Sequence, residues 1–220
     1  MIFDNRPDTF ESEKERNLYY KIFAGYILNE LIPGYPNRLN NLCKVINNPE
    51  ERGKSAPTSK LILHPAHTHV SFDNHLYLFS ELKTDRGEFA DILIHDKSNR
   101  TIVCIEAKLH SDWSYDKDIL QNQDRHNLLK SVLPQTQFYS VLLISRYRWN
   151  QVKKKESDKD SNYKRFRDGS ECGSIVILWE NLRDVIGNES VRLFLDSQLD
   201  RLNRGLLYRI DTDWFIQTSR

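Results

Sequence analysis

The sequence predicts an α/β fold, a single domain with a central mixed sheet flanked by helices. Two continuous apolar runs, Phe138–Ser145 (FYSVLLIS) and Ser174–Trp179 (SIVILW), have the composition of strands buried on both faces. Between residues 61 and 110 the apolar residues fall in short or alternating runs bounded by polar turns, as in strands. Around these runs stand segments with apolar residues at helical spacing, the last formed by Val191, Phe194, Leu195, Leu199 and Leu202.

Taken in order, Leu18, Ile22, Phe23, Tyr26 and Ile27 predict a leading helix over residues 11–31, ended by Pro33-Gly34. Glu11, Glu13 and Glu15 crowd its first turns, where the helix dipole favours negative charge. Residues 36–60 read as a long loop with one short helix around Leu39–Ile46, since Asn40-Asn41, Asn47-Asn48-Pro49 and Gly53 interrupt any period. Strands follow at Leu61–Leu63, Leu76–Leu82, Phe89–His95 and Thr101–Leu109, then a helix over Asp118–Leu133 stopped by Pro134. Residues 146–171, dense in Lys and Arg, read as an exposed excursion between the two buried strands. Gly205 ends the final helix. One domain over 1–220 results, with its core in residues 11–31 and 76–180 and a C-terminal helix and tail over 188–220.

Composition narrows the function. Of 220 residues, 39% are hydrophobic and 29% charged, which excludes wholesale disorder. Lys and Arg number 32 against 31 Asp and Glu, so an overall basic coat for nucleic acid is excluded while a local basic face is not. No run approaches the ~20 apolar residues of a membrane span. The opening Met1–Asp8 lacks the basic start and apolar core of a signal peptide. Cys43, Cys104 and Cys172 are odd in number and show no CxxC spacing, as expected of reduced thiols. A cytoplasmic protein with no membrane partner is the expectation.

The chemistry-bearing residues lie on two neighbouring strands. In Thr101–Leu109, Glu106 and Lys108 share one face while Ile105 and Ala107 point the other way. A hairpin turn centred on Ser98-Asn99 sets Asp91 opposite Glu106 on that same face. Two carboxylates about 5 Å apart at Cβ repel unless a cation lies between them, and oxygen ligands favour Mg²⁺, Mn²⁺ or Ca²⁺. The bland alternative is a surface salt bridge between Glu106 and Lys108 on an edge strand. Val103-Cys104-Ile105 before it and FYSVLLIS after it argue instead for a buried sheet.

Asp91 followed by Glu106-Ala107-Lys108, on a strand pair leading to a helix with Gln121 and Gln123, resembles the PD-(D/E)XK nuclease superfamily. The resemblance covers roughly residues 85–145 and the leading helix, with Ala90 where the motif's name implies proline. It implies the restriction-endonuclease-like fold, a three-layer α/β core with the mixed sheet in the middle. It also implies a nuclease that hydrolyses phosphodiester bonds with Mg²⁺ or Mn²⁺, on DNA in preference to RNA. Asp91, Glu106 and the Ala107 carbonyl would bind the metal, and Lys108 would orient or deprotonate the attacking water. Gln123 (or Gln121 in its place) and Glu13 would be the accessory helix residues of the family. The chemistry is coherent: a divalent ion lowers the pKa of water and neutralises charge at phosphorus, and a nearby lysine can serve as base.

Other features compete for function. His64, His67 and His69 in HPAHTH invite a zinc hydrolase reading, but no Cys or acidic residue is close in sequence, and polar loop histidines are the simpler expectation. Lys153, Lys154, Lys155, Lys164, Arg165 and Arg167, with Arg146 and Arg148, could track a phosphate backbone. Glu156, Asp158 and Asp160 among them fit an ordinary solvated loop equally well. Trp113 and Tyr115 either line a substrate groove or cap helix packing. Beside the nuclease stands a non-cleaving nucleic-acid-binding or protein-interaction module on the same fold. Oligomeric state is left open.

Overall fold

The computed structural model describes residues 35–54, 56, 60–61, 76–84, 87–109, 113, 120–154, 162–168, 174–186 and 188–205. The expected leading helix with Glu13, the histidine segment 64–69, Tyr115, Lys155 and Cys172 lie outside the described residues.

Burial in both registers builds the centre of the sheet. β4 (Thr101–Lys108) is buried at every position but its last, and β5 (Gln137–Ile144) at every position but its first. A strand covered on both faces needs apolar side chains in both registers, which TIVCIEAK and QFYSVLLI largely provide. β2 (Leu76–Thr84) and β3 (Gly87–Asp96) extend the sheet antiparallel on one side. On the other, β6 (Ser174–Leu178) runs parallel to β5, and the two-residue β1 (Glu51–Arg52) pairs antiparallel with β6. The order is β1-β6-β5-β4-β3-β2, a mixed sheet as the sequence predicts.

The β3–β4 turn occupies Lys97–Arg100, and the register runs from Asp96↔Thr101 to Ile92↔Ile105. That is the register of a turn centred on Ser98-Asn99. Buried Asp96 holds the turn, its carboxylate accepting from the Asn99 N–H at 3.1 Å and from Asn99 Nδ2 at 2.9 Å.

Period-two alternation divides the core between the two sheet faces. On one, Val103, Ile105, Val141 and Leu143 pack against α1 (Tyr35–Asn47), α5 (Trp179–Arg183) and α6 (Glu189–Asn203) through Leu42, Ile46, Leu182 and Leu195. On the other, Leu93, Ile102, Cys104 and Phe138 meet Leu129 of α2 (Leu120–Val132). Next to them Leu142, Ile144, Val176 and Leu178 meet Trp149 of α3 (Arg146–Lys154) and Phe166 of α4 (Asn162–Asp168). Helices thus cover both faces. α2 lies in the crossover that the parallel β4–β5 pair requires. At the end of the chain's described part, Asn188 caps α6 by accepting from the Val191 N–H at 3.1 Å, and Gly205 stops it with φ +70°.

Two expectations are corrected. Residues 146–171 are not simply an exposed excursion, because Trp149 and Phe166 are fully buried and anchor two helices to the sheet. Charge density hides two aromatic anchors there, and Trp113 joins them edge-on at 6.1 Å from each, which makes it a packing residue. Leu61 does not belong to a strand. Its N–H donates to Asn47 Oδ1 at 2.7 Å and its carbonyl accepts from Asn47 Nδ2 at 3.2 Å, so a side-chain amide satisfies the backbone groups a ladder would have used.

Candidate functional site

The site forms where β3 and β4 pass beyond their paired register. One step past Ile92↔Ile105, Asp91 Oδ2 accepts the Ala107 N–H at 2.8 Å, so a side chain takes a backbone donor of the neighbouring strand. On the same face of β4 stand Glu106 and Lys108, with Lys108 Nζ 2.8 Å from Glu106 Oε1. The other oxygen, Oε2, accepts from Nη1 of Arg125 at 3.1 Å. Arg125 comes from α2, which His126 pins over the sheet by stacking on Phe138 at 5.0 Å. Asp91, Glu106 and Lys108 are therefore brought together as expected from the hairpin, and Arg125 is a fourth member.

Glu106 is 7% exposed on a central strand, which excludes a surface pair on an edge. Burial and the charge of Glu106 push the Asp91 carboxyl from its ordinary 3.8 up to about 7, against the Ala107 N–H, Lys108 and Arg125, which pull it down. Burial also acts on Glu106, but the charges and hydrogen bonds of Lys108 and Arg125 outweigh it and hold that carboxyl below its ordinary value. The two carboxyls have divided roles: Glu106 is firmly ionised, and Asp91 keeps its proton until near-neutral pH. With both ionised, two carboxylates balance two cations.

Arg125 escapes sequence reasoning because arginine on a helix reads as solvated. The signal for it is its spacing: 121, 125 and 129 form one helical row, and Leu129 packs on the sheet. Position 123 lies about 200° around the helix from 125, so Gln121, half-buried, is the glutamine in the row of Arg125. Gln123 belongs to α2, and its side chain lies outside the described ones.

The basic residues stand on helices rather than on a loop. Arg146 pairs with Glu50 at 3.3 Å and Lys153 with Glu51 at 3.7 Å, so part of their charge is spent within the fold. Lys154, Lys164 and Arg167 are exposed, and the Arg165 side chain lies outside the described ones. Neutralising Lys154, Lys164 and Arg167 together is expected to weaken DNA affinity and to reduce the log–log salt slope by about 0.9 for each phosphate that is no longer neutralised. Titrations at several salt concentrations measure this, and an unchanged slope would show that the face does not touch DNA.

Among the described residues no group of three or more His, Cys, Asp or Glu clusters as a metal site. Asp91 and Glu106 nevertheless form a set of hard oxygen donors that suits Mg²⁺ or Mn²⁺ once water and a backbone carbonyl such as that of Ala107 complete it. The buried carboxylate pair also supplies the electrostatic reason to bind a cation. No protein-family model, curated protein or solved structure matches the chain.

Proposed function

We propose that the chain is a metal-dependent nuclease of the restriction-endonuclease-like fold, hydrolysing phosphodiester bonds of DNA in preference to RNA, and cytoplasmic. The observation that carries this reading is the buried Asp91–Glu106 pair with Lys108 on one face, at the point where β3 and β4 leave their ladder. A carboxyl pushed up to about 7 by burial and a neighbouring ionised glutamate is the kind of perturbed group that functional sites hold, which supports this reading. The strand pair, the crossover helix and the parallel β5 also fit the arrangement that the motif implies. Among the described residues no helix is long and apolar enough to cross a membrane. Neither Cys43 nor Cys104 is in a disulfide.

In this reading Asp91 and Glu106 hold Mg²⁺ or Mn²⁺. The bound ion supplies an activated water at neutral pH and charge neutralisation at the phosphoryl oxygen. Asp91 takes its position from the Ala107 N–H, and it gives up its proton to become a ligand. Glu106 is kept ionised by its two cationic neighbours. Lys108, held beside Glu106 as an ammonium, would orient the attacking water, and it could accept a proton only after losing its own.

A second reading, a non-cleaving binding module, draws on the fact that both oxygens of Glu106 are already taken by cations. Plasmid, linear duplex, single-stranded DNA and RNA, each with Mg²⁺, Mn²⁺ or chelator, separate the two. The nuclease reading requires metal-dependent loss of at least one substrate; if none is cut while DNA binding persists, the binding module stands. Lys108→Ala is expected to take up metal at least as tightly as the wild type and to bind substrate nearly as it does, yet to lose roughly 10²–10⁴-fold in single-turnover rate. Near wild-type cleavage would show that water activation does not need the lysine.

A further inference from the structure

We propose that Arg125 is a positioning residue that competes with the metal for Glu106, holding the oxygen Oε2 in the metal-free protein and yielding it when the ion binds. This inference rests on the metal-dependent reading of the site. Its basis is geometric. Glu106 has two oxygens; Lys108 Nζ takes one at 2.8 Å and Arg125 Nη1 the other at 3.1 Å. An ion that binds Glu106 must displace at least one of these donors or share an oxygen with it.

The two donors differ in how readily they can be kept in place. Lys108 shares a strand face with Glu106, and the lysine side chain is 13% exposed. Arg125 approaches from a different layer of the fold, on α2, and its side chain is 4% exposed. The guanidinium is a fixed positive charge that cannot lose its proton in a protein. A cation next to a carboxylate lowers that carboxylate's affinity for a second cation, and in a partly buried site the opposition is several-fold stronger than in water.

Charge balance points the same way. Two carboxylates against Lys108 and Arg125 leave the metal-free cluster neutral once Asp91 ionises. A divalent ion adds two positive charges, one of which an incoming phosphodiester, a monoanion, would offset. Arg125 thus sets a threshold: it keeps Glu106 ordered without metal, and it makes metal loading weaker than the carboxylate pair alone would give. Coupling of this kind is reciprocal, so metal binding must loosen the guanidinium by the same factor by which the guanidinium weakens metal binding.

The test is Mn²⁺ titration of the full chain by calorimetry, with folding checked by thermal melts, for the wild type, Arg125→Gln and Arg125→Lys. Glutamine can still donate to Oε2 but carries no charge; lysine keeps the charge. Arg125→Gln is expected to bind Mn²⁺ about tenfold tighter, while Arg125→Lys stays near the wild type. A residue that merely supported the fold would weaken metal binding in both. In wild-type protein the side-chain Nε–Hε NMR signal of Arg125, assigned by its disappearance in Arg125→Lys, should move on adding Mg²⁺. Equal or weaker Mn²⁺ affinity in folded Arg125→Gln, or an unmoved Arg125 signal at metal saturation, overturns the inference and leaves the metal site standing. Absence of any saturable Mn²⁺ binding by the wild type overturns both.

Discussion

Asp91→Asn is expected to lose roughly 10³-fold or more in phosphodiester cleavage while melting, metal-free at pH 8, roughly 10 °C above the wild type. Asparagine preserves the shape, and its carbonyl oxygen can still accept the Ala107 N–H that Asp91 Oδ2 takes at 2.8 Å. It removes the charge that burial and Glu106 make unfavourable. In the unfolded chain Asp91 ionises near 3.8, whereas in the fold it does so only at about 7. Between those values unfolding releases a proton, so wild-type stability falls as pH rises through the window and the full penalty is present above pH 7. The uncharged amide carries no such penalty. The advantage of the variant should therefore be absent below pH 4, grow towards neutrality and level off, at about 4 kcal/mol.

Mg²⁺ should narrow the gap. A ligand at a hundredfold excess over its Kd stabilises the protein that binds it by about 2.7 kcal/mol, and the variant, lacking one ligand, gains less. Melting curves at pH 4, 6 and 8 with chelator or Mg²⁺, alongside cleavage assays, measure all of this. A variant that melts no higher than the wild type at pH 8 and cleaves normally would make Asp91 an ordinary carboxylate holding a backbone N–H.

The fold was legible where burial dictates composition. FYSVLLIS and Val103-Cys104-Ile105 are largely apolar in both registers because both sheet faces are covered, and the Ser98-Asn99 turn fixed the partners of Ile92–Asp96. Alternation then placed Asp91, Glu106 and Lys108 on one face, which is a local consequence of strand geometry. What escaped was tertiary. Trp149 and Phe166 were hidden among lysines and arginines, since a helix needs only one or two large anchors to dock. Arg125 was hidden for the complementary reason: only its place in the helical row of Leu129 sets it apart from an arginine in water. The same blindness affects Leu61, whose ladder is a single asparagine side chain 14 residues away.

Glu106→Ala is expected to do what carboxylate repulsion alone would not suggest, namely to destabilise the fold by about 3–5 kcal/mol, the cost of stripping one partner from a buried ion pair. Sequence reasoning, which sees only two like charges, expects folding to survive the removal of either. The structure separates them. Removing Asp91 takes away a penalised charge, but removing Glu106 takes a carboxylate partner from the Arg125 guanidinium, whose side chain is 4% exposed. Lys108, more exposed, can turn its ammonium towards water, so most of the destabilisation comes from Arg125. Against a total stability of about 5–15 kcal/mol the effect is large. Removing the buried Arg125 charge as well should recover much of it, because an apolar side chain of similar length carries no charge to desolvate. Glu106→Ala/Arg125→Met is therefore expected to be more stable than Glu106→Ala, with a coupling energy of about 2–3 kcal/mol in a double-mutant cycle. Neither protein should cleave DNA, since both lack the Glu106 ligand. Denaturant unfolding of the wild type, both single variants and the double gives the cycle. A Glu106→Ala protein within about 1 kcal/mol of the wild type, or a cycle that closes to zero, would show that Arg125 and Glu106 are not a buried pair in solution.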